Sequence, residues 1–304
     1  MIDPAIQAML DTVLRPPPLP SPPDVKQMRA FALESQRLWG GSPEAVPSVR
    51  DTIVTGEGGP IRVRIYGAGS GTPCPTFVYA HGGGWVAGSI DSHDTLCRRL
   101  ANRLQAILVS VDYRLAPEHP FPVALNDFDA AWRWARAEIA SLGGDPSRCA
   151  VGGDSSGANL AAALTHRLRA RGEPQPAFQL LLYPALDGTC SGASYRAFAT
   201  GFSLTAKQMN WYWDQYGGTA ARNDTELSPL SARRFEDLPR AVIAVAEADV
   251  LHDDGVNYAQ RLASSGVPVQ LIECAGMIHG FLRWTGTVPA SRTWLDTIVA
   301  AAQL

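Results

Sequence analysis

Cys149-Ala-Val-Gly-Gly-Asp-Ser-Ser-Gly-Ala-Asn-Leu-Ala-Ala-Ala-Leu164 is the stretch that decides how the rest of the chain is read. It opens as a short apolar strand around Ala150-Val151, turns through Gly153-Asp154-Ser155-Ser156-Gly157, and runs on into helix formers over 158–164. A serine hydroxyl is a weak nucleophile unless a base can reach its proton, and a sharp strand-to-helix turn projects it clear of the backbone. Such a turn brings backbones together, so glycines two residues either side of Ser155 leave out side chains that would collide. The helix that follows starts with unpaired N–H groups and a positive dipole end, useful beside a developing negative charge. A structural glycine-serine turn has the same five letters. The strand before and the helix after are what set this one apart.

A serine nucleophile needs a base, and the base needs an acid to hold its tautomer. Of His81, His93, His119, His166, His252 and His279, only the last two follow Ser155 beyond its own helix. His279 sits in Ala275-Gly-Met-Ile-His-Gly-Phe281, a glycine-flanked loop just past the last predicted strand, where a base can hang over the serine turn. His252 lies too near the candidate acids and opens a helix. Those acids are Glu247, Asp249, Asp253 and Asp254. Helix capping accounts for Asp253 and Asp254, and Glu247 still follows its strand's alternation. Asp249 falls in the loop and is the choice, with Glu247 the fallback.

Negative charge on a substrate oxygen also needs donors. His81-Gly-Gly-Gly-Trp85 directly follows a buried strand, and its glycines offer N–H groups that no side chain blocks. Gly83 and Gly84 are assigned this role with the N–H of Ser156, and Gly82 stands as a close alternative. His81 reads as a residue pinning the loop, and Asp154 as making local hydrogen bonds in the turn.

Working outward, strands are predicted at 46–54 and 61–66 as a hairpin, then at 76–80, 106–111, 178–183, 241–245 and 267–272. Helices are predicted at 95–104, 123–142, 253–264 and 290–302 between and after them. Repeated strand–helix units make this an α/β fold, a mostly parallel sheet with helices on both faces, which binds ligands at the carboxyl ends of its strands. Two amphipathic helices precede the sheet. The first is capped by Asp3 with Ile6, Met9, Leu10 and Val13 on one side, and stops at Pro16-Pro17-Pro18. The second starts at Ser21-Pro22 and runs to Leu38. From 185 to 238 the strand rhythm stops, and that insertion carries one predicted helix, 205–216, crowded with aromatic residues. The division expected is therefore 1–45 as N-terminal cap helices, 46–184 with 239–304 as the core, and 185–238 as a cap insertion.

The chain of 304 residues is 46% hydrophobic with a net charge of −3, enough apolar material for a full core and no basic block to suggest nucleic acid. Its five cysteines are scattered with no Cys-x-x-Cys pair, so neither a disulfide framework nor a zinc site is indicated. No leader pattern or membrane-length apolar run is visible, and a cytoplasmic location is expected. An exposed edge near the last strand leaves room for a homodimer.

His81-Gly-Gly-Gly-Trp85, Asp112-Tyr-Arg-Leu-Ala-Pro-Glu-His-Pro-Phe-Pro122, Gly153-Asp-Ser-Ser-Gly157, Asp249-Val-Leu-His-Asp-Asp-Gly255 and Gly276-Met-Ile-His-Gly-Phe281 together resemble the hormone-sensitive-lipase-like esterases, the bacterial family IV carboxylesterases. The resemblance spans nearly the whole chain. It implies an α/β-hydrolase core of about eight strands under a helical cap, a triad of Ser155, Asp249 and His279, and no cofactor. Ser156 stands where the family usually has alanine, and Asp-Val-Leu-His where Asp-Pro-Leu-Arg is usual. The expected reaction is hydrolysis of short- to medium-chain carboxylic esters, with Trp85, Phe202, Leu204, Trp211, Tyr212, Ile278 and Phe281 lining an apolar pocket. Amidases and lactonases share these residues. Plant hormone receptors that resemble the family lack the catalytic base, and His279 argues against that reading.

Overall fold

Helices α1 (Pro4–Thr12) and α2 (Val25–Trp39) lead the computed structural model, which describes residues 1–12, 24–67 and 73–303. Each starts at a carboxylate: Asp3 Oδ1 accepts the Ala5 N–H at 2.9 Å, and Asp24 accepts the amides of Lys26 and Gln27. Val13, the Pro16-Pro17-Pro18 stop and the Ser21-Pro22 start lie outside the described residues. Strands β1 (Ser48–Gly56) and β2 (Gly59–Gly67) form the antiparallel hairpin that their alternation predicts, with Gly56 opposite Gly59.

The β/α alternation then sets in with β3 (Cys74–Ala80), α3 (Asp94–Leu104), β4 (Ile107–Asp112), α4 (Val123–Glu138), β5 (Gly144–Asp154), α5 (Ser156–Ala170) and β6 (Gln179–Leu182). Between residues 185 and 238 lie a four-residue helix α6 (Ser194–Ala197) and the longer α7 (Ala206–Gly217), which opens on a capping box between Thr205 and Gln208. Helix α6 is one turn long and too short to leave a periodic signal. The chain closes with β7 (Ala241–Ala248), α8 (His252–Ser264), β8 (Val269–Ile278) and α9 (Pro289–Ala301).

The strands form one sheet in the order β1-β2-β4-β3-β5-β6-β7-β8, antiparallel at β1/β2 and β2/β4 and parallel from β4 to β8. Successive residues of a strand face opposite sides. In β5, Cys149 and Val151 join a core with Phe128 and Trp132 of α4 and Leu160 of α5, while Ala150 joins one with Leu100 of α3 and Ile298 of α9. Central β3 is covered on both faces and buried along its whole length, which is why it reads as an unbroken apolar run. Helix α1 lays Ile6, Met9 and Leu10 into the core on the α9 side, beside β8.

Two expectations are corrected. The last strand continues past residue 272 to Ile278, because a bulge interrupts its alternation. Ala246 pairs with Cys274 but Ala248 pairs with Ile278, so two steps along β7 answer four along β8. Gly276 takes φ 77° there and donates its N–H to the Glu247 carboxylate at 2.6 Å. Asp253 and Asp254 do not cap α8. Asp254, fully buried, accepts the amides of Leu186 and Asp187 at 2.8 and 2.9 Å, and Asp253 accepts that of Ser194 at 3.0 Å. Both carboxylates tie the start of the 185–238 stretch to α8, since a buried acid must find donors wherever backbone supplies them.

Candidate active site

Strand β5 ends at Asp154 and α5 begins at Ser156, leaving Ser155 at the turn with φ 54° and ψ −118°. A non-glycine residue rarely accepts a positive φ, so the surrounding packing must hold it. The Ser155 N–H is tied to the Leu182 carbonyl at 2.8 Å. A methyl on Gly153 would run into Gly157, and one on Gly157 into the Ala80 carbonyl. These are the collisions that the sequence spacing anticipates.

His279 follows β8 directly and Asp249 follows β7 directly. The post-bulge pairing of Ala248 with Ile278 therefore sets the two next residues side by side. The Ser155 hydroxyl lies 2.9 Å from His279 Nε2, and His279 Nδ1 lies 2.7 Å from Asp249 Oδ2. Asp249 is buried and its other oxygen accepts the Leu251 N–H at 2.9 Å, which fixes the carboxylate's orientation. The Tyr183 ring meets the imidazole edge-on, 5.1 Å between centroids. Nothing in the sequence pattern marks Tyr183, which takes φ 37° just after β6. Glu247, the fallback acid, is spent on the β8 bulge. It holds the register that brings His279 to Asp249 and does not itself reach the imidazole.

The glycine loop after β3 is pinned from below. Asp154 Oδ1 accepts the Tyr79 hydroxyl at 2.8 Å and the Gly82 N–H at 2.9 Å. The Gly82 amide is thus occupied. Those of Gly83 and Gly84 donate to no protein acceptor among the described residues, and both glycines take positive φ, 127° and 62°. Asp154 also stands 3.4 Å from His93 Nε2 through Oδ2. Burial alone would raise this carboxyl, but His93, the Tyr79 hydroxyl and Arg283 outweigh it and hold it well below the usual carboxylate range. So the bonds of Asp154 are not local to the turn. They join β3, the loop and the elbow. His81 is fully buried, stacks on Tyr113 with centroids 4.3 Å apart, and bonds the Gly82 carbonyl at 2.9 Å. Burial, and then the neighbouring His93, push its imidazole down to about 3, so it is neutral near pH 7. Ser156 is buried and its hydroxyl is absent from the cavity wall. His252 faces Asp253 and Glu273, at 3.2 and 3.5 Å, and leaves the Asp249 carboxylate alone.

A cavity of about 400 Å³ opens over Ser155, His279, Gly83 and Gly84. Of the seven residues expected to line it, Leu204 and Tyr212 do so. The Tyr212 ring sits so close over Gly84 that a methyl there would strike it. Trp85, Phe202, Trp211, Ile278 and Phe281 do not line it, for packing reasons. Trp85 is stacked on Tyr216 inside the core, with centroids 4.4 Å apart. Phe202 packs edge-on against Phe198, and Trp211 edge-on against Tyr212. Ile278 and Phe281 are fully buried beneath the His279 segment. Their places on the wall go to Met28, Phe31, Ala32 and Trp39 of α2, Met209 of α7, and Trp284. The available signal was the row Met28, Phe31, Ala32, Ser35 and Trp39, which recurs at three- and four-residue spacing along one side of α2. Among the described residues no group of three or more His, Cys, Asp or Glu is placed to hold a metal, and no helix is long and apolar enough to cross a membrane.

Residues 77–283 match the family described as the α/β hydrolase fold. The chain belongs to that family, in its hormone-sensitive-lipase-like branch. It is 37% identical to an ethyl acetate hydrolase of Pseudomonas putida over 89% of this chain and 87% of that one. It is 38% identical to the carboxylic ester hydrolase LipN of Mycobacterium tuberculosis over 92% of this chain and 77% of that one. An α/β hydrolase enzyme from the metagenome of Lake Arreo, Spain, superposes with a TM-score of 0.93 at 38% identity, over 99% of this chain and 97% of that one.

Proposed function

We propose that the chain hydrolyses carboxylic esters through an acyl-enzyme on Ser155. The observation that carries this reading is the hydrogen-bonded row of Ser155 Oγ, His279 and Asp249 Oδ2, with spacings of 2.9 and 2.7 Å. Ser155 Oγ attacks the ester carbonyl as His279 Nε2 takes its proton, and Asp249 stabilises the imidazolium through Nδ1–H. The amides of Gly83, Gly84 and Ser156 receive the carbonyl oxygen as it gains charge. His279 then gives its proton to the departing alkoxide. A water, deprotonated by the same imidazole, attacks the acyl-enzyme and frees the acid and the serine. Of the expected cap, 1–45 with 185–238, helix α2 and the 185–238 stretch supply wall residues, and α1 packs on the core instead. The small, partly closed cavity supports short to medium acyl chains.

The five unpaired cysteines fit a reducing compartment such as the cytoplasm, and the outer edge of β8 is the place where a second copy could pair. The experiment is turnover of chromogenic esters from acetate to decanoate by the wild type and Ser155→Ala, together with labelling by an organophosphate. One label per chain that Ser155→Ala abolishes is the expected result. Wild-type turnover in Ser155→Ala would end the serine mechanism, and the absence of any label would favour a non-catalytic receptor.

A further inference from the structure

Arg283 is the only lysine or arginine on the cavity wall among the described residues. It lies four positions after His279, in the 3₁₀ turn Phe281–Trp284. Its Nη2 donates to the Ala32 carbonyl at 2.9 Å and to Ser35 Oγ at 2.7 Å, both on α2. Those bonds occupy that nitrogen. Nε is buried and donates to nothing, and Nη1 has no protein acceptor among the described residues. No carboxylate among the described residues lies within ion-pair distance of the guanidinium, and Asp154 feels its charge only from beyond that distance. Of the two acids on the same wall, Asp24 is occupied with the amides of Lys26 and Gln27, and Asp154 with Tyr79, Gly82 and His93.

The rest of the wall is largely apolar, with Met28, Phe31, Trp39, Leu204, Met209 and Trp284. A cation left unpaired in such surroundings is costly, and a planar guanidinium with donors to spare fits a carboxylate. Simple anchoring of α2 would call for a neutral donor to one carbonyl and one hydroxyl. It does not call for a charged side chain on the wall of the space where substrate must sit.

We propose that Arg283 determines substrate choice by binding a carboxylate on the ester, so that preferred substrates are half-esters of dicarboxylic acids. The proposal rests on the Ser155 reading above and adds the charge of the substrate to it. The test compares kcat/KM for monoethyl succinate, glutarate and adipate with that for ethyl butyrate, pentanoate and hexanoate. The wild type is expected to favour the half-esters by about tenfold or more, chiefly through KM, as one charge-assisted hydrogen bond allows. Arg283→Met removes that ratio. Ser35→Ala removes one anchor on α2 but leaves the charge, and it keeps the ratio.

Equal kcat/KM for the two classes in the wild type overturns the proposal. So does an Arg283→Met variant that loses both classes alike, because that assigns the residue to holding α2. Binding of monoethyl adipate and ethyl hexanoate to Ser155→Ala, read by calorimetry, separates the two readings. Preference for the acid form without turnover in the wild type sinks esterase chemistry alone, and no preference in binding sinks the role of Arg283.

Discussion

Asp154→Ala removes one carboxylate from beneath the glycine loop, and its cost can be worked out from two bonds. Tyr79 OH and Gly82 N–H, both in buried residues, each lose their acceptor, at 2.8 and 2.9 Å. Each orphaned donor costs about 1–3 kcal/mol, so the loss should be about 2–6 kcal/mol, a large share of a stability of about 5–15 kcal/mol. The effect on rate follows from the Gly82 amide. Once it is unpinned, the peptides of Gly83 and Gly84 can turn, and losing one oxyanion donor lowers kcat by about 10²–10³. Asp154→Asn keeps an oxygen facing both donors and should stay within about tenfold of wild-type kcat, less than one lost donor costs. Tyr79→Phe removes one bond only and should cost about 1 kcal/mol with kcat little changed. Thermal unfolding and kcat with a saturating acetate ester read both effects. A cooperatively folding Asp154→Ala protein with wild-type kcat would refute the idea that this carboxylate aims the loop.

Two further outcomes follow from the geometry. Asp249→Asn should lower kcat by about 10⁴ by offering His279 Nδ1 the wrong partner, whereas Glu247→Gln, which can still accept the Gly276 N–H, should leave kcat close to wild type; steady-state kinetics on one ester decides between the two acids. His166 is buried against Tyr258 and Phe235, and burial, then Arg169 and Arg261, push it down to about 3. From its unfolded value near 6.5 down to about 3 the unfolded chain holds a proton that the folded chain does not, so stability is full above pH 6.5 and declines below it by up to about 1.4 kcal/mol per pH unit. His166→Leu should flatten that acid limb in urea titrations run at several pH values, and an unchanged slope would show that the imidazole does not set it.

Much of the site is legible in the residues because the chemistry demands particular types at fixed offsets. The Gly153 and Gly157 positions follow from backbone crowding around Ser155, and His279 and Asp249 follow from lying just beyond apolar runs. The β8 bulge was not legible, because Gly276 breaks the alternation on which strand prediction depends. Nor was the wall of the cavity. Trp85 and Phe281 look like pocket residues by hydrophobicity, and the same hydrophobicity buries them in the core.

Local covalent geometry and periodicity, which depend only on neighbours along the chain, determined from the sequence the strand–turn–helix around Ser155, the alternating sheet and the amide-rich loop. Tertiary structure alone decided that Glu247 holds the β8 bulge, that Asp154 claims the Gly82 amide, and that Met28, Phe31 and Trp39 line the cavity in place of Trp85 and Phe281. Each of those outcomes depends on which distant backbone and side-chain groups meet when the sheet closes, and spacing along one chain does not encode that meeting directly.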